Sequence, residues 1–298
     1  MSSWQNAILQ VLITAQGNKR RLSSVQAARQ RERTLALRPG RYAPPRRLDR
    51  VVRLSIETIA GWPVYTCAPR GGPAIRQVLY LHGGAHIAEI KAFHWDQVGR
   101  VTSRVPAEVT VPIYPLAPFS TAEATVAGVA ALATRLIERH GAGNVVLMGD
   151  SSGGGIALAV AEMLRDQGSE QPARLVLICP WLDVSMTDPR QAEIEPNDPL
   201  QSRPGLAEHG RLYAGDLDIS DHRVSPLRGD LRGLAPITVF AADRDILYTD
   251  AINLAERARA AGTFIELHKG HGMFHGWPLF PTPEGRAAGD LIVRACRQ

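Results

Sequence analysis

From residue 51 onward the chain alternates two patterns, short apolar runs and longer stretches with helical spacing, and that alternation narrows the fold more than any other feature. "VVRLSIETIA" and "WPVYTCAP" read as two early strands, and "QVLYLH", "AEVTVPIY", "NVVLMGD", "RLVLICP", "PITVFAA" and "TFIELH" as six more. Helical spacing falls at about residues 93–104, 121–139, 152–167, 249–262 and 284–297. Strands that are apolar almost throughout, rather than on alternate residues, must be covered on both faces. The pattern therefore predicts an α/β fold: a mostly parallel sheet of about eight strands, entered through an antiparallel pair and flanked by helices on both sides. In such sheets function gathers in the turns after the carboxyl ends of the strands.

Two stretches stand outside the alternation. Residues 4–16 place Trp4, Ile8, Val11, Leu12 and Ala15 at helical spacing, residues 23–37 give a more polar helix, and "LRPGRYAPPRR" then breaks regular structure. Residues 183–235 are polar and proline-dotted, without a strand, and could form a lid together with the N-terminal helices.

Composition sets further bounds. With 298 residues, 45% of them hydrophobic, the chain can bury a large core. Cys67, Cys179 and Cys296 are widely spaced and odd in number, which suggests neither a disulfide framework nor a zinc site and makes a reducing, cytoplasmic compartment the default. The first apolar helix is too short to span a bilayer and carries Gln5, Asn6 and Gln10, so neither a signal peptide nor a membrane anchor or span is expected. The net charge of +5 divides unevenly, with +10 on residues 1–53 and −5 on the remainder. A basic arm of this kind can serve nucleic acid, anionic lipid or organellar targeting. The plainer reading is a solvated arginine-rich face on a covering helix, since no aromatic or nucleic-acid motif interleaves with the arginines. No nucleic-acid partner is expected.

"VVLMGDSSGGGIALAV" runs a strand into two serines, three glycines and a helix. A G-x-S-x-G turn requires small residues two before and two after the serine, where backbone passes close to backbone. Only Gly149-Asp150-Ser151-Ser152-Gly153 satisfies this; a nucleophile at Ser152 would put Asp150 in the first crowded position. Ser151 is the candidate nucleophile, and Ser152 contributes the amide that follows it. No lysine follows the glycines and no G-x-G-x-x-G aligns, which sets aside a phosphate loop.

A serine nucleophile needs donors for the oxyanion, a base, and a carboxylate to orient the base. Gly83 and Gly84, after the strand ending at His82, can turn their amides outward and join that of Ser152. His275 follows the last strand and is the candidate base, with His271 the main alternative and His268 a competitor. A His271–His275 metal pair lacks the acidic partner of an H-E-x-x-H helix. Asp243, Asp245 and Asp250 all follow the preceding strand. Asp250 has a ready role at a helix start, and the residues alone do not separate Asp243 from Asp245.

Taken in order, "YLHGGAHI", "PIYPLAPFST", "GDSSGGG", "CPWLD", "ADRDILYTDA" and "GMFHGWP" resemble the hormone-sensitive-lipase-like (GDXG, bacterial family IV) carboxylesterases of the α/β-hydrolase superfamily, from about residue 50 onward. The resemblance implies Ser151 as nucleophile, Asp245 as orienting acid, His275 as base, and Gly83, Gly84 and Ser152 as oxyanion donors. It implies a catalytic domain of residues 49–182 and 226–298, capped by residues 1–48 and 183–225. It further implies hydrolysis of short- to medium-chain carboxylic esters through an acyl-enzyme, with no metal or organic cofactor and a small-molecule ester as partner; a homodimer is compatible with it. Amides and lactones are chemically adjacent substrates. A scaffold that only binds a small molecule, as in the family's hormone-receptor relatives, need not retain the histidine, whereas here every catalytic position is filled. The chain departs from the family at Ala85 and His86, where glycine and an aromatic residue are usual, and at Glu89 and Ile90, which replace a Gly-Ser. Those changes leave the donors in place and alter the pocket wall, with His86 equally readable as a pocket or a surface residue.

Overall fold

In a computed structural model, which describes residues 2–298, eight strands form one sheet in the order β1-β2-β4-β3-β5-β6-β7-β8. The strands are β1 Val52–Ile59, β2 Trp62–Pro69, β3 Arg76–Leu81, β4 Ala107–Pro112, β5 Val145–Asp150, β6 Arg174–Ile178, β7 Ile237–Ala242 and β8 Ile265–Gly270. Only β2 runs against its neighbours; β4, β3, β5, β6, β7 and β8 are mutually parallel.

The continuous apolar runs have the expected cause. Along β3, Leu79 and Leu81 enter one core while Val78 and Tyr80 enter the other, and β5 divides Leu147 from Val146 and Met148 in the same way. Helices α4 (Ala122–His140), α5 (Ser152–Asp166) and α8 (Tyr248–Ala260) cover the first face, and α3 (Ala92–Arg104) and α9 (Pro283–Arg297) the second. Each layer thus buries one side of every central strand.

Register decides what meets at the top of the sheet. Leu81 lies opposite Gly149, Asp150 opposite Ile178, and Ala242 opposite Gly270, so β3, β5, β6, β7 and β8 end nearly level. The turns after β3 and β5 therefore emerge side by side, as do those after β7 and β8.

Helices α1 (Trp4–Ala15) and α2 (Val25–Leu37) precede the sheet, and α6 (Arg190–Ile194) and α7 (Arg203–Ala214) occupy the strandless insertion. α2 starts at Ser24, whose hydroxyl accepts from the Ala27 amide, and packs on α7, where Arg29 pairs with Glu208 at 2.7 Å. Lys19 Nζ donates to the Asp198 carbonyl at 2.8 Å. The two segments outside the alternation are therefore joined to each other. In α1 the orientation is unexpected: Trp4, Ile8, Val11 and Leu12 face solvent, and Asn6, Gln10 and Ile13 are buried. Among the described residues, no helix is long and apolar enough to cross a membrane.

One buried group in α5 has a pH consequence. Glu162 is fully buried; its Oε2 lies 3.3 Å from His222 Nδ1 and its Oε1 has no partner. Burial pushes the carboxyl up to about 7, against the opposing pull of His222. The folded state thus favours the protonated acid, so stability is full below the unfolded carboxyl's pKa of about 4.3 and is lost as pH rises toward 7, by roughly 3 kcal/mol. Glu162→Gln is expected to raise the urea midpoint at pH 8 and to lose that advantage by pH 4.5; equal gains at both pH values would contradict this assignment.

Candidate active site

At the end of β5, Ser151 takes φ 52 and ψ −123, a backbone conformation that a non-glycine residue holds only under constraint. The constraint is visible on both sides. The Ser151 amide donates to the Ile178 carbonyl, and its carbonyl accepts from the Trp181 amide, each at 2.9 Å. A Cβ at Gly149 would strike the Gly153 backbone, and one at Gly153 would strike the Leu81 and His82 carbonyls. Ser151 lines a cavity of about 320 Å³ and Ser152 does not; the Ser152 hydroxyl is buried and accepts from the His86 amide at 3.4 Å.

Asp150 ties this turn to its surroundings. Its buried carboxylate accepts from the Tyr80 hydroxyl at 2.5 Å and from His94 Nε2 at 3.2 Å. His94 Nδ1 accepts from the Lys91 amide, which assigns the proton to Nε2. Burial works against the Asp150 charge, yet His94 and Tyr80 outweigh it and hold the carboxyl below its usual range. The same carboxylate sits where a Cβ on Gly83 would go.

The loop after β3 is held as firmly. The His82 ring stacks on Tyr114 at 4.6 Å and its Nδ1 lies 2.8 Å from the Gly83 carbonyl, while burial lowers its pKa to about 4 and keeps it neutral. Gly84 has φ 143, and its carbonyl accepts from the Ile87 and Ala88 amides. Among the described residues, the amides of Gly83, Gly84 and Ser152 donate to nothing. Gly83 and Gly84 line the cavity beside Ser151.

The turns after β7 and β8 separate the competing acids and bases. His275 Nδ1 lies 2.7 Å from Asp245 Oδ2, both are buried, and His275 lines the same cavity as Ser151. Asp245 Oδ1 also accepts from the Leu247 amide. Burial disfavours the His275 imidazolium, but the charge and hydrogen bond of Asp245 more than offset this and leave the pKa raised. Asp243 instead accepts from the Gly272 amide at 2.8 Å and faces the exposed His271 at 3.4 Å. His268 stacks on Phe240 inside β8. Asp250 does more than start a helix: it is buried and accepts from the Leu182 and Asp183 amides, which pins "CPWLD", and burial raises its pKa to about 8.

Two neighbours of this pair had no signal in the sequence. Asp198, from the insertion, is buried and accepts from the Ile246 amide at 3.0 Å and from the Leu200 and Gln201 amides; burial and the nearby Asp245 raise its pKa. The Cys179 thiol lies within 4.8 Å of the interacting atoms of Asp245 and His275, and burial raises its pKa well above the ordinary thiol value, so it stays protonated. Position before a proline marks Asp198 only as a turn residue, and a lone cysteine in a βα turn reads as packing.

Leu9, Ile13 and Leu22 from the N-terminal segment and Leu200 and Leu206 from the insertion form much of the apolar cavity wall, and Glu89 lies on the wall as well. His86 is neither on this wall nor at the surface. It is buried at φ 61, stacked on Tyr213 of α7 at 3.5 Å and 5°, and burial lowers its pKa to about 3. Ile90 is a core residue.

Residues 78–279 match the family described as alpha/beta hydrolase fold. A triacylglycerol lipase of Mycobacterium tuberculosis is 33% identical over 246 residues, 82% of this chain and 51% of the relative, so the chain spans about half that protein's length. An acetyl-hydrolase of Streptomyces hygroscopicus is 32% identical over 216 residues, 72% of each chain. Among solved structures, an esterase from the bacterial hormone-sensitive lipase family superposes with a TM-score of 0.84 at 27% identity, covering 100% of this chain and 98% of its own. By its sheet, its motifs and these relatives, the chain belongs to the α/β-hydrolase fold family, in company with the hormone-sensitive-lipase-like esterases.

Proposed function

We propose that the protein hydrolyses short- to medium-chain carboxylic esters through an acyl-enzyme formed on Ser151. The observation that carries this reading is the Asp245–His275 pair at 2.7 Å, whose imidazole lines one cavity with a serine held at positive φ. His275, oriented by Asp245, takes the Ser151 proton as Oγ attacks the ester carbonyl. The amides of Gly83, Gly84 and Ser152 receive the charge that develops on the carbonyl oxygen. Protonated His275 then gives its proton to the leaving alcohol, and a water activated by the same imidazole releases the acid. Residues 1–48 and 183–225 act as the cap over a catalytic domain of residues 49–182 and 226–298. Support for the cap comes from the α2–α7 packing and from the leucines that both segments contribute to the cavity. The volume of about 320 Å³ suits a small acyl group.

Two measurements test the assignment. With p-nitrophenyl esters from acetate to palmitate, Ser151→Ala is expected to lose at least about a thousandfold in kcat. Ser152→Ala should retain activity within a few-fold and lose about 1 kcal/mol of stability with its hydroxyl contact. A Ser151→Ala protein within a few-fold of the parent would refute the mechanism.

The second is a pH profile. The imidazole accepts a proton only when neutral, so kcat/KM should fall on the acid side with an apparent pKa above the ordinary histidine value of about 6.5. Asp245→Asn removes the charge that raises it, so the acid limb should move to lower pH while kcat drops at least about a hundredfold. An acid limb that stays in place in Asp245→Asn counts against Asp245 as the partner of the base.

A further inference from the structure

Helix α1 is inside out. Trp4, Ala7, Ile8, Val11, Leu12 and Ala15 follow the i, i+3, i+4 spacing of one helical face, and all six are exposed, with Trp4 70% and Val11 68% accessible. The inner face is held largely by side-chain amides. Asn6 Nδ2 and Gln10 Nε2 both donate to the Gly272 carbonyl, at 3.2 and 2.9 Å, and Gln10 Oε1 accepts from Arg244 at 2.8 Å. A surface helix normally turns such a stripe toward the core. Here hydrogen bonds hold it toward the outside, where every apolar side chain left in water forgoes the gain from burial.

Charge indicates what covers the stripe. Past α1 the chain turns at Gly17, φ 67, and presents Arg20 and Arg21; Arg33, Arg38 and Arg41 follow. All five are exposed, and among the described residues none is in an ion pair. Two copies meeting stripe to stripe would bring two strongly basic segments together, which opposes association. A surface with an apolar interior and an anionic face satisfies both features at once. The neighbouring flank of α1 supplies Leu9 and Ile13 to the wall of the cavity that holds Ser151, so a surface seated on the stripe lies next to that cavity.

We propose that α1 is an interfacial helix that docks the protein on an anionic lipid surface, with Trp4, Ile8, Val11 and Leu12 in the apolar layer and the arginines that follow among the headgroups. This requires no spanning helix and is independent of which ester is hydrolysed.

The test is co-sedimentation of the full chain with vesicles of phosphatidylcholine alone and of phosphatidylcholine containing about 30% phosphatidylglycerol, a fraction chosen to give a strongly negative surface. The expected result is at least tenfold tighter partitioning onto the anionic vesicles, weakened by 0.5 M salt, roughly three times the ionic strength of physiological buffer. Ile8→Gln/Leu12→Gln should reduce that partitioning at least tenfold, and Arg20→Glu/Arg21→Glu should abolish the preference for anionic lipid. Circular dichroism and melting temperatures matching the parent show that each variant is folded. The proposal is overturned if the parent sediments with neither vesicle, or if folded stripe variants partition as the parent does. It is equally overturned if sedimentation velocity finds a dimer that Ile8→Gln/Leu12→Gln dissolves, because the stripe is then covered by a second copy.

Discussion

The close approach of β5 and α5 at Ser151 is the constraint on which the rest of the site depends. Gly149 and Gly153 leave no room for side chains, so the helix starts directly against the strand ends, and the residue between must take a left-handed backbone. The amide of Ser151 is bonded to the last residue of β6, Ile178, and its carbonyl to Trp181 just beyond that strand. The strained residue is thereby fixed from outside its own turn, as such conformations require. Because the parallel strands end level, the same geometry places the loops after β3, β7 and β8 around that residue.

Electrostatics at this end of the sheet is organised by buried carboxylates that differ in their partners. Asp150 faces a phenol and an imidazole, Asp245 faces His275, and Asp198 and Asp250 accept from backbone amides of neighbouring loops. The first is held ionised by hydrogen bonds that outweigh its burial. The last two are raised, because the amide hydrogen bonds they accept do not offset the cost of burial. One residue type thus holds an imidazole in one place and fastens loops in another.

Much of this was legible in the sequence. Two-sided apolar strands announced the layered sheet, and the size of the flanking residues singled out, of two adjacent serines, the one that lines the cavity. The choice between Asp243 and Asp245 was not legible from residues alone, since both follow β7 within hydrogen-bonding distance of the next loop. They are separated only by the path of residues 271–275, which gives Asp243 a backbone amide and Asp245 an imidazole. His94 and Tyr80 were missed because a histidine in a helix and a tyrosine in a strand read as ordinary core. His86 shows the converse: an unusual residue in a recognised motif turned out to be a stacking partner for α7. Helical spacing found α1 but could not tell which face was inward, because periodicity carries no sign; Asn6 and Gln10 decided it.

Those two amides have a consequence for how the chain can be shortened. Both are spent on one carbonyl, that of Gly272, three residues before His275, and the same helix supplies part of the cavity wall. A chain trimmed of its first sixteen residues would keep every motif by which the family is recognised. It would nonetheless lose a tether on the loop that carries His275 and one side of the chamber around Ser151.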